Sequence, residues 1–129
     1  MYVLDTNTVV YFFKGLGNVA RRLLDVPPAE VALPAVVLYE LEVGVVKSGS
    51  SQRRQQLEEM AGVLTILPFG RREAAAAAEL RAALEVRGTP IGPHDTLIAG
   101  TTLVYGGILV THNTREFSRV PQLRLEDWY

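Results

Sequence analysis

Asp5 is the most informative residue of the chain, because it directly follows an apolar run and precedes polar residues that favour the start of a helix. The run Met1–Leu4 has the character of a buried strand, and in an open α/β sheet ligands bind at the carboxyl ends of the strands. An acid at that position has two uses: its side chain either caps the helix that begins at Thr6 or binds a metal ion. The local sequence leaves both uses open.

Four further residues are candidates for a functional site: the acids Glu40, Asp95 and Glu116 and the amide Asn113. Glu40 lies in a helical segment whose other residues are almost all apolar, and a Glu there is costly unless it is paired or bound to a metal. Asp95 falls in the first turn of a predicted helix, where it would also complement the helix dipole. Asn113 and Glu116 follow the apolar segment Ile108–Val110, where Asn commonly stabilises a turn and Glu commonly faces water.

The positions of these residues become more informative when they are considered together. The carboxyl ends of parallel strands and the starts of the following helices share one edge of a sheet, so the acids are expected to be neighbours. Three or four carboxylates at one edge repel one another, and the pKa of at least one is expected to rise. A divalent cation removes that repulsion, and Mg²⁺ or Mn²⁺ bound to carboxylates and water activates phosphate chemistry. For each acid alone, helix capping or exposure to solvent stays open.

Composition and charge limit the classes of protein to which the chain belongs. Its 129 residues and 48% hydrophobic content fit one globular domain over residues 1–129. Cys is absent and His occurs only twice, which excludes disulfides and Cys-based zinc sites and leaves oxygen-ligated cations. The net charge of −1 provides no strongly basic surface, so a nucleic-acid contact would depend on locally segregated cations. No apolar stretch reaches the roughly 18 residues of a membrane span and no signal peptide is recognised, so a soluble, cytoplasmic protein is expected.

Strand-like and helix-like segments alternate along the chain without an internal repeat. The predicted strands are Met1–Leu4, Val31–Leu33, Val63–Leu67 and Ile108–Thr111, and the predicted helices are Thr6–Lys14, Val19–Asp25, Ala35–Val46, Gln52–Ala61, Arg72–Arg87 and His94–Tyr105. A flexible connection is predicted at residues 47–51, and a short turn at residues 115–117 leads to residues 123–125. Strands separated by helices indicate an α/β fold with a short, mostly parallel central sheet flanked by helices on both faces.

Five segments, in a fixed order from the first residues to the last, carry a resemblance to a known family. They are Leu4-Asp5-Thr6-Asn7-Thr8; Leu38-Tyr39-Glu40-Leu41 with Gly44 after it; Gly88–Asp95, continuing into Leu97–Gly100; Leu109–Phe117; and the ending from Arg119 to Trp128. Together they resemble the PIN-domain ribonucleases, and more closely the VapC-type toxins of bacterial toxin–antitoxin pairs. No single segment is decisive, but the set in this order is highly specific.

The resemblance implies a PIN-like fold and a metal-dependent endoribonuclease. Asp5, Glu40 and Asp95 match the three acids that hold the metal, with Mg²⁺ as the expected cofactor and Mn²⁺ as its substitute. Asn113 and Glu116 both match the position after the last strand that completes the catalytic site, and the choice between them stays open. A metal-activated water would hydrolyse a phosphodiester bond in structured RNA, of the tRNA or rRNA class, and leave a 5′-phosphate and a 3′-hydroxyl.

The resemblance also implies partners. These are a cognate antitoxin that occludes the acidic cleft, an RNA substrate and a second copy of the chain in a homodimer, with no membrane involved. The aromatic run Tyr11–Phe13 and the helix that carries Tyr39 supply more apolar area than so small a core needs, which favours such contacts.

Other families with an acid behind the first strand fit less well. A haloacid-dehalogenase-like phosphatase needs a second Asp two residues after the first, where this chain has Asn7. A response-regulator receiver domain needs a Lys behind a late strand, and no Lys occurs after Lys47. The remaining alternative is a catalytically silent PIN fold that acts as an RNA- or protein-binding module, against which the intact acids Asp5, Glu40 and Asp95 argue.

Overall fold

Five short strands and seven α-helices alternate along the chain in the computed structural model, which describes residues 1–129. The strands are β1 (Tyr2–Leu4), β2 (Val31–Pro34), β3 (Thr65–Leu67), β4 (Ile108–Val110) and β5 (Arg124–Glu126). The helices are α1 (Thr6–Lys14), α2 (Val19–Leu24), α3 (Ala35–Ser48), α4 (Ser51–Val63), α5 (Arg71–Val86), α6 (Pro93–Tyr105) and α7 (Thr114–Phe117), with a 3₁₀ turn at Pro28–Glu30. The α/β class predicted from the sequence is confirmed.

The sheet is parallel throughout, in the order β3-β2-β1-β4-β5. Successive side chains of a strand point to opposite faces of a sheet. Val3 and Leu4 in β1 are 0% and 1% exposed, and Leu109 and Val110 in β4 are both 0% exposed, so neither face of the sheet meets water at these two strands. Helices therefore cover both faces, as predicted, and β1 lies at the centre of the sheet, where its carboxyl end is flanked by β2 and β4.

The helices next to this edge begin and end at residues suited to those positions. α1 starts at Thr6 because the Asp5 side chain accepts a hydrogen bond from the Thr6 N–H, and it stops at Gly15, whose φ of 67° is a left-handed conformation that glycine adopts without strain. α6 begins with Pro93, whose missing N–H costs nothing in the first turn of a helix. These signals explain why the predicted bounds of α1 and α6 agree with the structure within one residue.

The connection between α3 and α4 is shorter than the sequence indicates. α3 continues through Ser48 and α4 starts at Ser51, so only Gly49 and Ser50 join them. Gly49 adopts a φ of 63°, and the Ser50 hydroxyl accepts a hydrogen bond from the Arg53 N–H at 3.2 Å. The predicted flexible connection is wrong, because its Gly and Ser residues cap two helices at a tight turn.

Two strand predictions also need correction. Residue Val63, predicted to begin a strand, is the last residue of α4, and β3 begins at Thr65. The strand β5 has no counterpart in the sequence-based prediction. It pairs with β4 at the edge of the sheet, and none of its three residues is fully buried, so the hydrophobic pattern carries no signal for it.

Helices α5 and α6 pack with their backbones in close approach at Gly100. A Cβ added to Gly100 would lie 2.8 Å from the Cα of Ala77, which is backbone and cannot move aside. We therefore expect Gly100→Ala to lower the free energy of unfolding by about 1–3 kcal/mol, as over-packing of a core does. Urea denaturation measures the loss. Gly62→Ala is the control, because Gly62 also lies in a helix but has open space around it, and there the change should be neutral or stabilising. Equal behaviour of the two variants would contradict the close packing.

None of the seven helices combines the length and the hydrophobicity needed to cross a lipid bilayer.

Candidate active site

The acids predicted to be neighbours lie at the carboxyl edge of the sheet and at the starts of helices beside it. Asp5 follows β1, and its N–H donates to the carbonyl of Val110, the last residue of β4, at 3.0 Å. Glu116 belongs to α7, which follows β4, and Asp95 belongs to the first turn of α6. Glu40 reaches the same place from α3, since its Oε1 accepts a hydrogen bond from the Thr6 hydroxyl at 2.8 Å.

Asp5 is held by two hydrogen bonds and is only 6% exposed. Its Oδ1 accepts from the Thr6 N–H at 2.8 Å, and its Oδ2 accepts from the Thr111 hydroxyl at 2.9 Å. Burial raises the pKa of Asp5 above its ordinary value, the two hydrogen bonds lower it, and the charges of Glu40 and Glu116 raise it again. Asp5 thus caps α1 with one oxygen and still presents a carboxylate to the other acids, so the two uses left open by the sequence are compatible.

Glu40 is intermediate in exposure rather than enclosed by its apolar neighbours, with 27% of its side chain accessible. Besides the Thr6 hydroxyl, its carboxylate faces His94, whose Nδ1 lies 3.4 Å from Oε2. His94 is in the first turn of α6 with half of its side chain exposed, so it stands at the rim of the acid cluster. Glu42 lies apart from the cluster, because its carboxylate forms an ion pair with Arg54 at 2.6 Å.

Asp95 and Glu116 form a carboxyl–carboxylate pair. Burial is the largest cause that raises the pKa of Asp95, to about 7, followed by its hydrogen bond to Glu116 and by the charges of Asp5, Glu116 and Glu40. The rise expected from clustered acids is confirmed for Asp5 and Asp95, but burial contributes more to it than mutual repulsion does.

Glu116 stays ionised because it receives hydrogen bonds from several directions. Desolvation raises its pKa, but the Gly92 N–H at 2.8 Å, the Asp95 carboxyl, the Asn113 amide at 2.6 Å and the charge of Arg119 outweigh that effect, so its pKa lies below the ordinary value. Between the lowered pKa of Glu116 and about pH 7, the pair therefore carries one proton, on Asp95.

Asn113 and Glu116 are hydrogen-bonded to each other, so both lie at the position for which the sequence leaves a choice between them. The Asn113 Nδ2 donates to the Glu116 Oε2, and the Asn113 N–H donates to the Thr111 hydroxyl at 3.0 Å. The Thr111 hydroxyl in turn donates to Asp5. A chain of hydrogen bonds thus joins all four residues, with Asn113 orienting Glu116. Whether either completes the catalytic site stays a prediction.

Gly92 is the residue that the sequence reasoning missed at this site. Its N–H holds Glu116, and a Cβ placed on it would lie 3.3 Å from the Asp95 Oδ2 and 3.8 Å from the Glu116 Oε1. The turn residues around it, Thr89-Pro90-Ile91-Gly92-Pro93, signal a bend but not a hydrogen-bond donor, because any residue except proline has the same backbone N–H.

The cluster can be compared with what a hard divalent cation requires. No three acidic or histidine side chains are already arranged as a ready-made metal site. The chemistry of the donors does fit: carboxylates from three different elements, two of them with raised pKa values, present oxygen ligands of the kind that Mg²⁺ prefers. Asp5, Glu40 and Asp95 are the residues that would hold the ion.

Comparison with known proteins identifies the family to which this arrangement belongs. A sequence profile of the PIN domain matches residues 2–123. The chain is 34% identical over 128 residues to the tRNA(fMet)-specific endonuclease VapC of Salmonella typhimurium, covering 98% of this chain and 97% of the relative, and 34% identical over 137 residues to ribonuclease VapC2 of Rickettsia felis, covering 99% and 98%.

Solved structures give the same answer. DNA-bound VapBC from Salmonella typhimurium superposes with a TM-score of 0.90 at 32% identity, and VapBC2 from Rickettsia felis bound to a promoter DNA fragment superposes with a TM-score of 0.88 at 34% identity, each covering 99% of this chain and 98% of the other. The chain belongs to the PIN-domain family and, within it, to the VapC ribonucleases, the toxins of toxin–antitoxin pairs.

Proposed function

We propose that the chain is a divalent-metal-dependent endoribonuclease that cuts a structured RNA of the tRNA class. The observation that carries the proposal is the acid cluster of Asp5, Glu40, Asp95 and Glu116 at the carboxyl edge of the sheet. Its support comes from relatives of nearly the same length, one of which is named a tRNA(fMet)-specific endonuclease.

The chain's own residues have distinct tasks in this proposal. Asp5, Glu40 and Asp95 would hold Mg²⁺ or Mn²⁺, which when bound would supply an activated water and offset the negative charge that develops on the leaving oxygen. Asp95 must lose its proton before it can serve as a metal ligand. Glu116 does not take up that proton, because its hydrogen bonds keep it ionised, so the proton leaves the pair.

Three hydroxyl and amide groups keep the carboxylates in place during the reaction. Thr111 fixes Asp5, and Thr6 fixes Glu40. Asn113 directs Glu116 towards Gly92, so the carboxylate that is left outside the proposed ligand set remains beside Asp95. Fixed carboxylates reduce the entropic part of the activation barrier, because the reacting groups need not be ordered during the reaction.

A cleavage assay tests the proposal. Purified protein is incubated with formylmethionine-accepting initiator tRNA, and with elongator methionine tRNA as the matched substrate, in Mg²⁺, in Mn²⁺ and in EDTA. We expect discrete cleavage of the initiator tRNA that requires the metal and leaves a 5′-phosphate and a 3′-hydroxyl. Cleavage that persists in EDTA would contradict the proposed dependence on a divalent metal. RNA binding without any cleavage in either metal would favour the silent binding module.

Gly92 offers a test of how closely the acids must be held. A Cβ at position 92 would press on the Asp95 carboxylate at 3.3 Å, so we expect Gly92→Ala to reduce cleavage by about tenfold through displacement of that carboxylate. Gly70→Ala is the matched control, because Gly70 also precedes a helix and its added Cβ would lie 3.3 Å from the Glu73 Oε1, away from the acid cluster. Steady-state cleavage rates of the two variants test this prediction. Equal rates would mean that cleavage does not depend on the exact position of the Asp95 carboxylate.

We also propose that a cognate antitoxin covers the acidic cleft and binds an apolar groove between α1, α2 and α4. The support is twofold: the similar solved structures are toxin–antitoxin complexes, and a groove of about 510 Å³ is lined mainly by apolar side chains. Leu24 and Val63 in its wall are 79% and 66% exposed, an unusual extent for aliphatic side chains. Leu24→Glu should weaken the complex without changing cleavage by the free toxin.

A homodimer is the remaining partner that we propose. Tyr39 is 57% exposed and Val86 is 88% exposed, so apolar side chains outside the apolar groove are available for a second contact. Light scattering after gel filtration measures the mass directly, and a monomer at all concentrations would contradict the proposal.

A further inference from the structure

A second groove, more polar than the apolar groove, opens directly beside the acid cluster. It has a volume of about 400 Å³ and is bounded by residues of α1, α3 and α4. Thr6 and Glu40 lie at its acidic end, and Lys14 and Arg53 lie on its walls. We call it the polar groove. It shares Phe13 and Gln56 with the apolar groove, so the two adjoin.

The two cations of the polar groove have no partner within the chain. Lys14 and Arg53 are exposed, and neither side chain forms an ion pair or a hydrogen bond. The next residue, Arg54, shows the contrast, because it is bound to Glu42 at 2.6 Å. A phosphate entering the polar groove would therefore meet two cations without first displacing a carboxylate from them.

Gly44 gives independent evidence that the polar groove is kept open. It lies inside α3, where glycine is among the least favourable residues, and it lines the polar groove. A Cβ at position 44 would meet no atom within 4 Å, so packing inside the protein does not require a glycine. The empty space above Gly44 is therefore available to a molecule outside the chain.

We propose that the polar groove binds the RNA backbone next to the bond that is cut, with Lys14 and Arg53 each contacting a phosphate. The proposal rests on the ribonuclease function proposed above. An overall charge of −1 provides no net attraction for RNA, and the acid cluster repels it, so local groups of cations have to supply the attraction, and Lys14 and Arg53 lie beside the acids. The charge of the polar groove favours a nucleic acid, whereas the apolar groove next to it favours a protein segment.

Salt-dependent binding tests the contacts. A short, fluorescently labelled single-stranded RNA is titrated with protein in the Asp95→Asn background, which prevents cleavage, at a series of salt concentrations with Mg²⁺ present. Each phosphate contact to single-stranded RNA contributes about −0.7 to the slope of log K against log salt concentration. Lys14→Gln and Arg53→Gln should each reduce the steepness by about that amount, and the double variant by about twice as much. Arg21→Gln is the control, because Arg21 is exposed and lies outside the polar groove.

Cleavage kinetics in the otherwise unchanged chain provide the second readout. The same two substitutions should raise KM for RNA by about tenfold and leave kcat within about twofold, since they act on binding outside the reacting atoms. Gly44→Leu should raise the melting temperature, because Leu favours a helix, and yet weaken RNA binding. A residue with a purely structural role would not change stability and RNA affinity in opposite directions.

The outcomes separate this proposal from the one on which it rests. If wild-type protein cleaves RNA and the Lys14 and Arg53 variants match the Arg21 control in slope and KM, the polar groove does not bind RNA, while the ribonuclease stands. If those variants keep RNA binding but lose the antitoxin complex, the polar groove holds a protein segment, and the proposal is overturned. If wild-type protein neither cleaves nor binds RNA, both proposals fall.

Discussion

Asp95→Asn is expected to reduce RNA cleavage by about a thousandfold while making the metal-free protein more stable above pH 7. The loss follows because an amide replaces a carboxylate ligand, and metal stabilisation of the transition state is worth several kcal/mol. The gain follows because ionised Asp95 is unfavourable in the fold: burial and the charges around it raise its pKa to about 7. Initial rates of cleavage and thermal melting in EDTA measure the two effects.

Glu42→Gln is the matched control for Asp95→Asn. Glu42 lies on the same helix as Glu40, but its carboxylate is bound to Arg54 away from the acid cluster. It should leave cleavage unchanged, and the exposed ion pair that it removes contributes at most about 1 kcal/mol to stability. If Asp95→Asn cleaves RNA as fast as Glu42→Gln does, Asp95 is not a ligand of the catalytic metal.

The apparent affinity for Mn²⁺ or Mg²⁺ is expected to rise about tenfold per pH unit up to about pH 7 and to level off above it. The reason is that the cation competes with the proton on Asp95, whose pKa is about 7. Between about pH 5 and about pH 7 the total change is therefore about a hundredfold. Isothermal titration at a series of pH values measures it, and proton release on binding should be seen in the dependence of the heat on the buffer.

Stability without metal should follow the opposite trend with pH. The folded-state pKa of Asp95 lies above its ordinary value, and that of Asp5 is raised as well, so both favour the fold when protonated. That contribution is fully present below about pH 4 and is lost as the pH rises through about 7. Metal-free protein should thus lose stability over this range, and added Mn²⁺ should restore it by mass action.

An affinity for metal that is independent of pH would contradict the role of Asp95 as a metal ligand.

Strong local signals in the sequence predict the central strands, whereas the acid cluster is predicted only from the parallel sheet together with the family resemblance. Val3 and Leu4 form a strand that ends in a helix-capping Asp5, and the Gly residues that end α1 and α6 mark those helices clearly. A parallel sheet brings Asp5 and the residues after β4 together at its carboxyl edge.

What could not be predicted depends on distances between residues far apart in the chain. The hydrogen bond from the Gly92 N–H to Glu116 joins residues 24 positions apart, and no side chain marks it. The proton on Asp95 depends on burial, which exists only in the folded chain. The edge strand β5 exposes its side chains, so it lacks the apolar alternation by which a strand is recognised.

The proposal that Asp5, Glu40 and Asp95 hold a divalent cation is tested most directly by a crystal structure of the protein grown or soaked with Mn²⁺ above pH 7. Anomalous scattering from manganese locates the ion without regard to any assumption about its ligands. We expect an anomalous peak within about 2.0–2.4 Å of oxygen atoms from all three carboxylates. A peak bound elsewhere, or none in protein that cleaves RNA in Mn²⁺, would contradict the proposed metal site.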